Sequence, residues 1–419
     1  MNEPIGANLK PDTAAALSLL NSEAVRTRAH RLFALGCDDR LLHFRIDLDR
    51  LDAAANLVVE TTRATYPALD VPLHSRWRHF EFQGVNRWDL VSRALGATDQ
   101  QAHARAAFDL AIISVLLDAG AGSQWRYQDQ ASGQTIGRSE GLALASLAMF
   151  HDGLFSADPN NPLRVDADAL QKLPAERIKR GLQISDTNPM IGIDGRIALL
   201  RRLGRTVSEN PDIFARQDSA RPGGLFDLLA DDAQDLTVRA PSILTAVLTH
   251  LAPVWPSRFT LGGVPLGDCW RHPLITTSDE TSGFVPLHKL SQWLAYSLIE
   301  PLQWAGLRVT DVDRLAGLAE YRNGGLFIDT NVLVLRDPAQ AVREHDVSSV
   351  LVVEWRALTV ALLDVLAKKI RERLNVSAES FPLAKVLQGG TWAAGRRLAS
   401  KLRPDAASPI RVVSDGSVF

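Results

Sequence analysis

The chain has 419 residues, 46% of them hydrophobic, with 46 Lys and Arg set against 48 Asp and Glu. That length can bury a large core, while the near balance of charge and the absence of a basic helix exclude an electrostatic bias toward nucleic acid. Cys37 and Cys269 are the only cysteines, and no basic segment followed by an apolar stretch opens the chain, so a cytoplasmic location is expected. No membrane partner is expected either, because the longest apolar candidate, Ala106 to Ala121, is interrupted by Asp109 and Asp118.

In chain order, Leu42 to Leu51 comes first, with Phe44, Ile46 and Leu48 alternating with Arg45, Asp47 and Asp49 in strand fashion. Helical periodicity takes over from about Gln101. Ala106, Leu110, Ile113 and Leu117 form one apolar face of a predicted helix over Ala102 to Leu117, which Gly120 to Gly122 ends. Further helices are predicted over Glu140 to Phe150, Asp194 to Leu203, Pro241 to Leu251, His288 to Trp304, Ser348 to Leu374 and Leu383 to Leu402. Strands are predicted at Phe327 to Leu335 and Ile410 to Phe419, rich in Ile and Val and placed to pair with each other. The class is mainly α with a small β-sheet. Ser156 to Pro162 and Ser208 to Gly224 read as loops, and the chain forms one compact unit over 1–419 or two lobes, 1–100 and 101–419.

Three segments carry chemistry. Leu318 to Asp329 gathers Glu320, Tyr321, Arg322 and Asp329 around Gly324-Gly325, where the plain reading is a helix ended by a glycine cap. In Gly120 to Tyr127, Trp125 and Tyr127 offer flat faces for a base and Arg126 a fork for phosphate, and a cap followed by packed aromatics explains the same residues. Asp268, Cys269, His272 and His288 make a mixed carboxylate, thiolate and imidazole set suited to iron or zinc, although the spacing matches no standard metal site. The run Trp77 to Glu81 reads as a half-buried strand or loop. Lys385 and Arg396 flank Gly389-Gly390, where a phosphate pocket competes with simple packing.

An ordered set of motifs runs from about Arg76 to the C-terminus: Gln124-Trp125-Arg126-Tyr127, Gly137-Arg138-Ser139-Glu140-Gly141-Leu142, Asn188-Pro189-Met190-Ile191-Gly192, Pro286 to Trp293, Glu320 to Gly325, Gly389 to Arg396, and Ser414-Asp415-Gly416. It resembles the uracil catabolism protein four family. The resemblance implies a role in uracil breakdown, in which the ring-opened nucleotide leaves a ureido nitrogen on C1 of ribose 5-phosphate. Hydrolysis of that N-ribosyl bond, releasing urea, is the leading expectation. A shorter likeness supports it: Ala319-Glu320-Tyr321-Arg322 is similar to the Ala-Asp-Tyr-Arg stretch of queuosine salvage N-glycosyl hydrolases, which implies a helical fold like that of DNA glycosylases.

On this reading Glu320 and Asp329 stabilise the cationic sugar and activate water, and Tyr321 stacks or donates a hydrogen bond. Trp125, Arg126, Tyr127, Arg322 and Gln292 bind the ligand, a uracil or a ring-opened uracil nucleotide, and a homo-oligomer is compatible with the reading. Two alternatives stay open. One is an iron- or zinc-dependent pyrimidine-binding protein or ring hydrolase using Asp268, Cys269, His272 and His288; the other is a uracil carrier or sensor without catalysis.

Overall fold

The computed structural model describes residues 10–95, 99–118, 120–122, 124–215 and 219–413. Among these the predicted long helices are present as Gln100–Leu117, Arg138–His151, Ile193–Ser208, Ala240–His250, Lys289–Trp304 and Val350–Leu374. Strands pair only two at a time, so the protein is mainly α with small β ribbons. No helix among the described residues is long and apolar enough to cross a membrane.

The chain divides into two compact units that interleave in sequence. The first comprises the described residues up to Val71, with Pro256–Lys289 and Ala316–Val413; the second comprises those of Pro72–Trp255 and Leu290–Leu315. The described residues up to position 100 are therefore shared between the units, while the loop at 156–162 lies inside the second; the stretch expected as a loop from Ser208 instead holds a short helix, Pro211–Phe214.

The first unit is built around Val350–Leu374. Every residue from Leu351 to Leu363 is buried, the pattern of a helix that other elements cover on all sides. The helices Ser22–Cys37 and Leu51–Thr65 pack against it. Burying Glu354 within it demands partners. Its carboxylate accepts the backbone N–H groups of Leu42, His43 and Phe44 at 3.1, 2.9 and 3.0 Å. These bonds hold the entry to strand Phe44–Ile46, whose alternation was legible in the sequence.

The strand expectations need correction. Phe44–Ile46 pairs antiparallel with Leu333–Leu335, and Arg411–Val413 pairs parallel with Glu344–Asp346, so the two predicted strands do not pair with each other. Phe327 to Asp329 belongs instead to the helix Tyr321–Asp329, because a capped N-terminus and packing of its glycines outweigh the local β preference. Residues 414–419, including the Ser414-Asp415-Gly416 motif, lie outside the described residues, as does Ser123. The glycine pair at Gly389-Gly390 does not end the predicted C-terminal helix. It lies in a π-helical turn, Leu387–Thr391, between Leu383–Val386 and Trp392–Leu402.

In the second unit Gln100–Leu117 has the central place, with every residue from Ala106 to Leu117 buried. Asp109 within it is fully buried and is paired rather than exposed. Arg221 bonds it through Nε at 2.9 Å, with Val165 N at 3.0 Å and Gly223 N at 2.6 Å. That network lets an apolar helix carry a carboxylate.

Candidate active site

Glu320 is the N-cap of Tyr321–Asp329. Its Oε2 accepts Arg322 N–H and its Oε1 accepts Asn323 N–H, both at 2.6 Å, so the carboxylate satisfies two amides that a helix start leaves unpaired. Burial raises its pKa above the usual glutamate range, against the pull of those two amides and of the Lys289 and Arg322 charges. The glycines expected to end a helix sit inside this one. A Cβ on Gly324 would come within 2.7 Å of Trp355 Nε1, which donates to the Gly324 carbonyl at 3.1 Å, so this position needs the bare backbone.

The neighbouring candidates have defined partners. Arg322 is 4% exposed; its Nη1 donates to Ala406 O at 2.6 Å and its guanidinium lies 4.6 Å from the centre of the Tyr321 ring. Asp329 accepts a two-pronged bond from Arg403, 2.7 Å to each oxygen. It stands at the far end of the helix from Glu320, about 13 Å along the axis at 1.5 Å per residue. The two carboxylates expected to share one bond are thus held apart by the helix between them.

Asp268 does meet the Glu320 segment. Arg356 donates to both Asp268 oxygens at 2.8 Å and, through Nε, to Ala319 O at 3.3 Å; Trp270 Nε1 and Lys289 N complete the carboxylate at 2.6 and 2.9 Å. Burial pushes the Asp268 pKa up, but Arg356 and these hydrogen bonds overcome it and hold the group at about 2.

The proposed metal donors do not form a ligand set. Both Asp268 oxygens are engaged, His272 Nε2 pairs with Glu354 at 3.1 Å, and His288 Nε2 pairs with Leu19 O at 3.0 Å. Burial and the Asp268 charge push the Cys269 thiol well above its ordinary value. Among the described residues no three His, Cys, Asp or Glu side chains are grouped to hold a metal ion.

The proposed base-binding loop belongs to the second unit. Trp125 is fully buried with Nε1 donating to Leu182 O at 2.8 Å, and Tyr127 is buried in strand Tyr127–Asp129, so these rings serve as core. Arg126 is exposed and donates to Trp125 O at 2.7 Å. Gln292, also in this unit, is fully buried, and neither its amide oxygen nor its nitrogen has a partner among the described residues. The sequence reading missed Arg76. It lies in a tight turn, Arg76–His79, rather than a strand, and is wholly buried. The only signal was two arginines and a histidine packed between aromatic residues.

This fold and site define a mainly helical protein with a partly buried carboxylate capping a helix start, preceded by a carbonyl that an arginine ties to a buried aspartate. The chain belongs to the family described as a protein of unknown function, DUF1688, whose pattern matches residues 18–419. It is 39% identical to Protein urg3 of Schizosaccharomyces pombe over 415 residues, covering 97% of this chain and 100% of the relative. It is 35% identical to Uracil catabolism protein 4 of Lachancea kluyveri over 412 residues, covering 90% and 92%. The family that the motifs indicated is therefore the right one.

Proposed function

We propose that this protein acts in uracil catabolism and hydrolyses the N-ribosyl bond of a ring-opened uracil nucleotide. The pathway rests on likeness to a relative named Uracil catabolism protein 4. The reaction rests on one observation: Glu320 is oriented by two backbone amides, has a raised pKa, and is subject to the Lys289 charge.

In this reaction water forms the new C1–O bond, the C1–N bond breaks, and the proton released by water goes to the departing nitrogen, giving urea and ribose 5-phosphate. Positive charge grows on the sugar as the bond to nitrogen lengthens. A carboxylate near C1 offsets it, and its two remaining lone pairs can accept the water proton. The raised pKa makes Glu320 a better proton acceptor than an ordinary surface glutamate. Asp268 and Arg356 are positioning residues, because Arg356 holds the Ala319 carbonyl next to Glu320.

The test is incubation of the purified protein with ribosylurea phosphate, uracil and uridine monophosphate. Release of urea and ribose 5-phosphate from the first alone is expected. Consumption of uracil or of the nucleotide instead would reject an N-ribosyl hydrolase.

A further inference from the structure

The second unit holds a polar cluster that this mechanism does not use. Its centre is Arg76, 0% exposed, on the turn Arg76–His79. The turn is pinned to the helix Lys289–Trp304, because Arg76 N donates to Ser297 Oγ at 2.9 Å and Trp77 Nε1 to Ser297 O at 2.7 Å. The guanidinium donates through Nε to Ser114 Oγ at 2.7 Å and through Nη1 to His79 Nδ1 at 3.1 Å and Ser139 O at 3.2 Å. Nη1 also lies 3.0 Å from Asp118 Oδ2. Nη2 has no partner among the described residues.

Trp293, one helical turn before Ser297, is 5% exposed, and its Nε1 also lacks a partner among the described residues. Its ring lies 4.6 Å from that of His74 and 5.7 Å from that of His79, centre to centre, so it belongs to the same cluster as Arg76. A buried N–H without an acceptor is costly, and native proteins pair nearly all of them. Two in one cluster, one of them on a guanidinium, call for an acceptor supplied from outside the chain.

The charges decide what kind. Asp118 already balances Arg76, and Glu140 acts on the guanidinium as well, so an anion would meet two carboxylates. A guanidinium can only donate, so in its contact with Arg76 the His79 Nδ1 is the acceptor. A neutral carbonyl oxygen is the acceptor that fits. We infer that the second unit carries a binding site for a compact, uncharged amide or ureide, whose carbonyl oxygens accept hydrogen bonds from Arg76 Nη2 and Trp293 Nε1. This goes beyond the hydrolase reading and concerns binding without turnover.

Calorimetric titration with uracil, urea and inorganic phosphate tests it. Wild-type protein should bind uracil, the cyclic form of this chemistry, or urea, the open form, and not phosphate. Trp293→Phe, which keeps the ring and removes the N–H, should weaken binding about tenfold, the scale of one neutral hydrogen bond. Arg76→Lys should weaken it further, and if that buried variant does not fold, Trp293→Phe alone decides. The inference is overturned if wild type binds neither uracil nor urea, if phosphate binds as well as they do, or if Trp293→Phe binds as tightly as wild type. Loss of urea release from ribosylurea phosphate with uracil or urea binding intact would strike the hydrolase reading only.

Discussion

Replacing Asp268 by Asn tests the buried charge pair that supports the Glu320 segment. Asp268 and Arg356 are 9% and 1% exposed in their side chains, and each carboxylate oxygen takes one guanidinium N–H at 2.8 Å. Relative to the usual aspartate value of 3.8, holding the group at about 2 corresponds to about 2 kcal/mol of stability at neutral pH. The folded-state pKa is depressed, so this contribution is present above 3.8 and is lost as pH falls toward 2. Asn keeps the shape but leaves Arg356 charged and unpaired in the interior, a loss of about 3–5 kcal/mol that contains the pH-dependent part. Urea unfolding followed by circular dichroism should therefore show Asp268→Asn less stable by about that amount at pH 7. The gap to wild type should narrow by about 2 kcal/mol as pH drops below 4. A variant within 1 kcal/mol of wild type at pH 7, or a gap that does not change with pH, would refute the argument.

Other outcomes follow from the same geometry. Glu320→Gln should lower urea release by about 10²- to 10⁴-fold with little change in KM, while Glu320→Asp, also a good cap, keeps more activity; near-normal turnover in the Gln variant would leave Glu320 only its capping role. Because burial raises the Glu320 pKa, the folded state holds that proton more tightly than the unfolded chain. Stability from this group is thus lost as pH rises through the raised value, and Glu320→Gln should flatten that slope in wild-type unfolding curves. Asp329→Asn breaks only the fork to Arg403 and should retain turnover in the same urea-release assay; a loss matching that of Glu320→Gln would return Asp329 to the chemistry. Gly395→Ala drives a Cβ into the Arg322 carbonyl, and backbone cannot give way, so a loss of about 1–3 kcal/mol in urea unfolding is expected despite the better helix propensity of Ala. Cys269→Ser and His288→Ala should leave metal content unchanged by elemental analysis; a drop in both would restore them as ligands.

The sequence placed Gln100–Leu117 and Val350–Leu374 almost to the residue, because a long apolar run with polar or glycine-rich ends is a local property. That both helices are buried on every face over twelve or more consecutive residues was decided by their neighbours. The ordered motifs also identified the family. Tertiary structure alone decided what the polar residues do. Gly324-Gly325 reads as a helix stop, and only Trp355, thirty-one positions on, turns Gly324 into a point of close packing inside a helix. Asp268 beside Cys269 reads as a metal donor until Arg356, eighty-eight positions away, takes both of its oxygens. Trp125 offers a stacking face in sequence but spends its indole N–H on Leu182 in the core. Burial and charge pairing depend on neighbours distant along the chain, and those neighbours set whether a carboxylate stays ionised, caps a helix or is free to react.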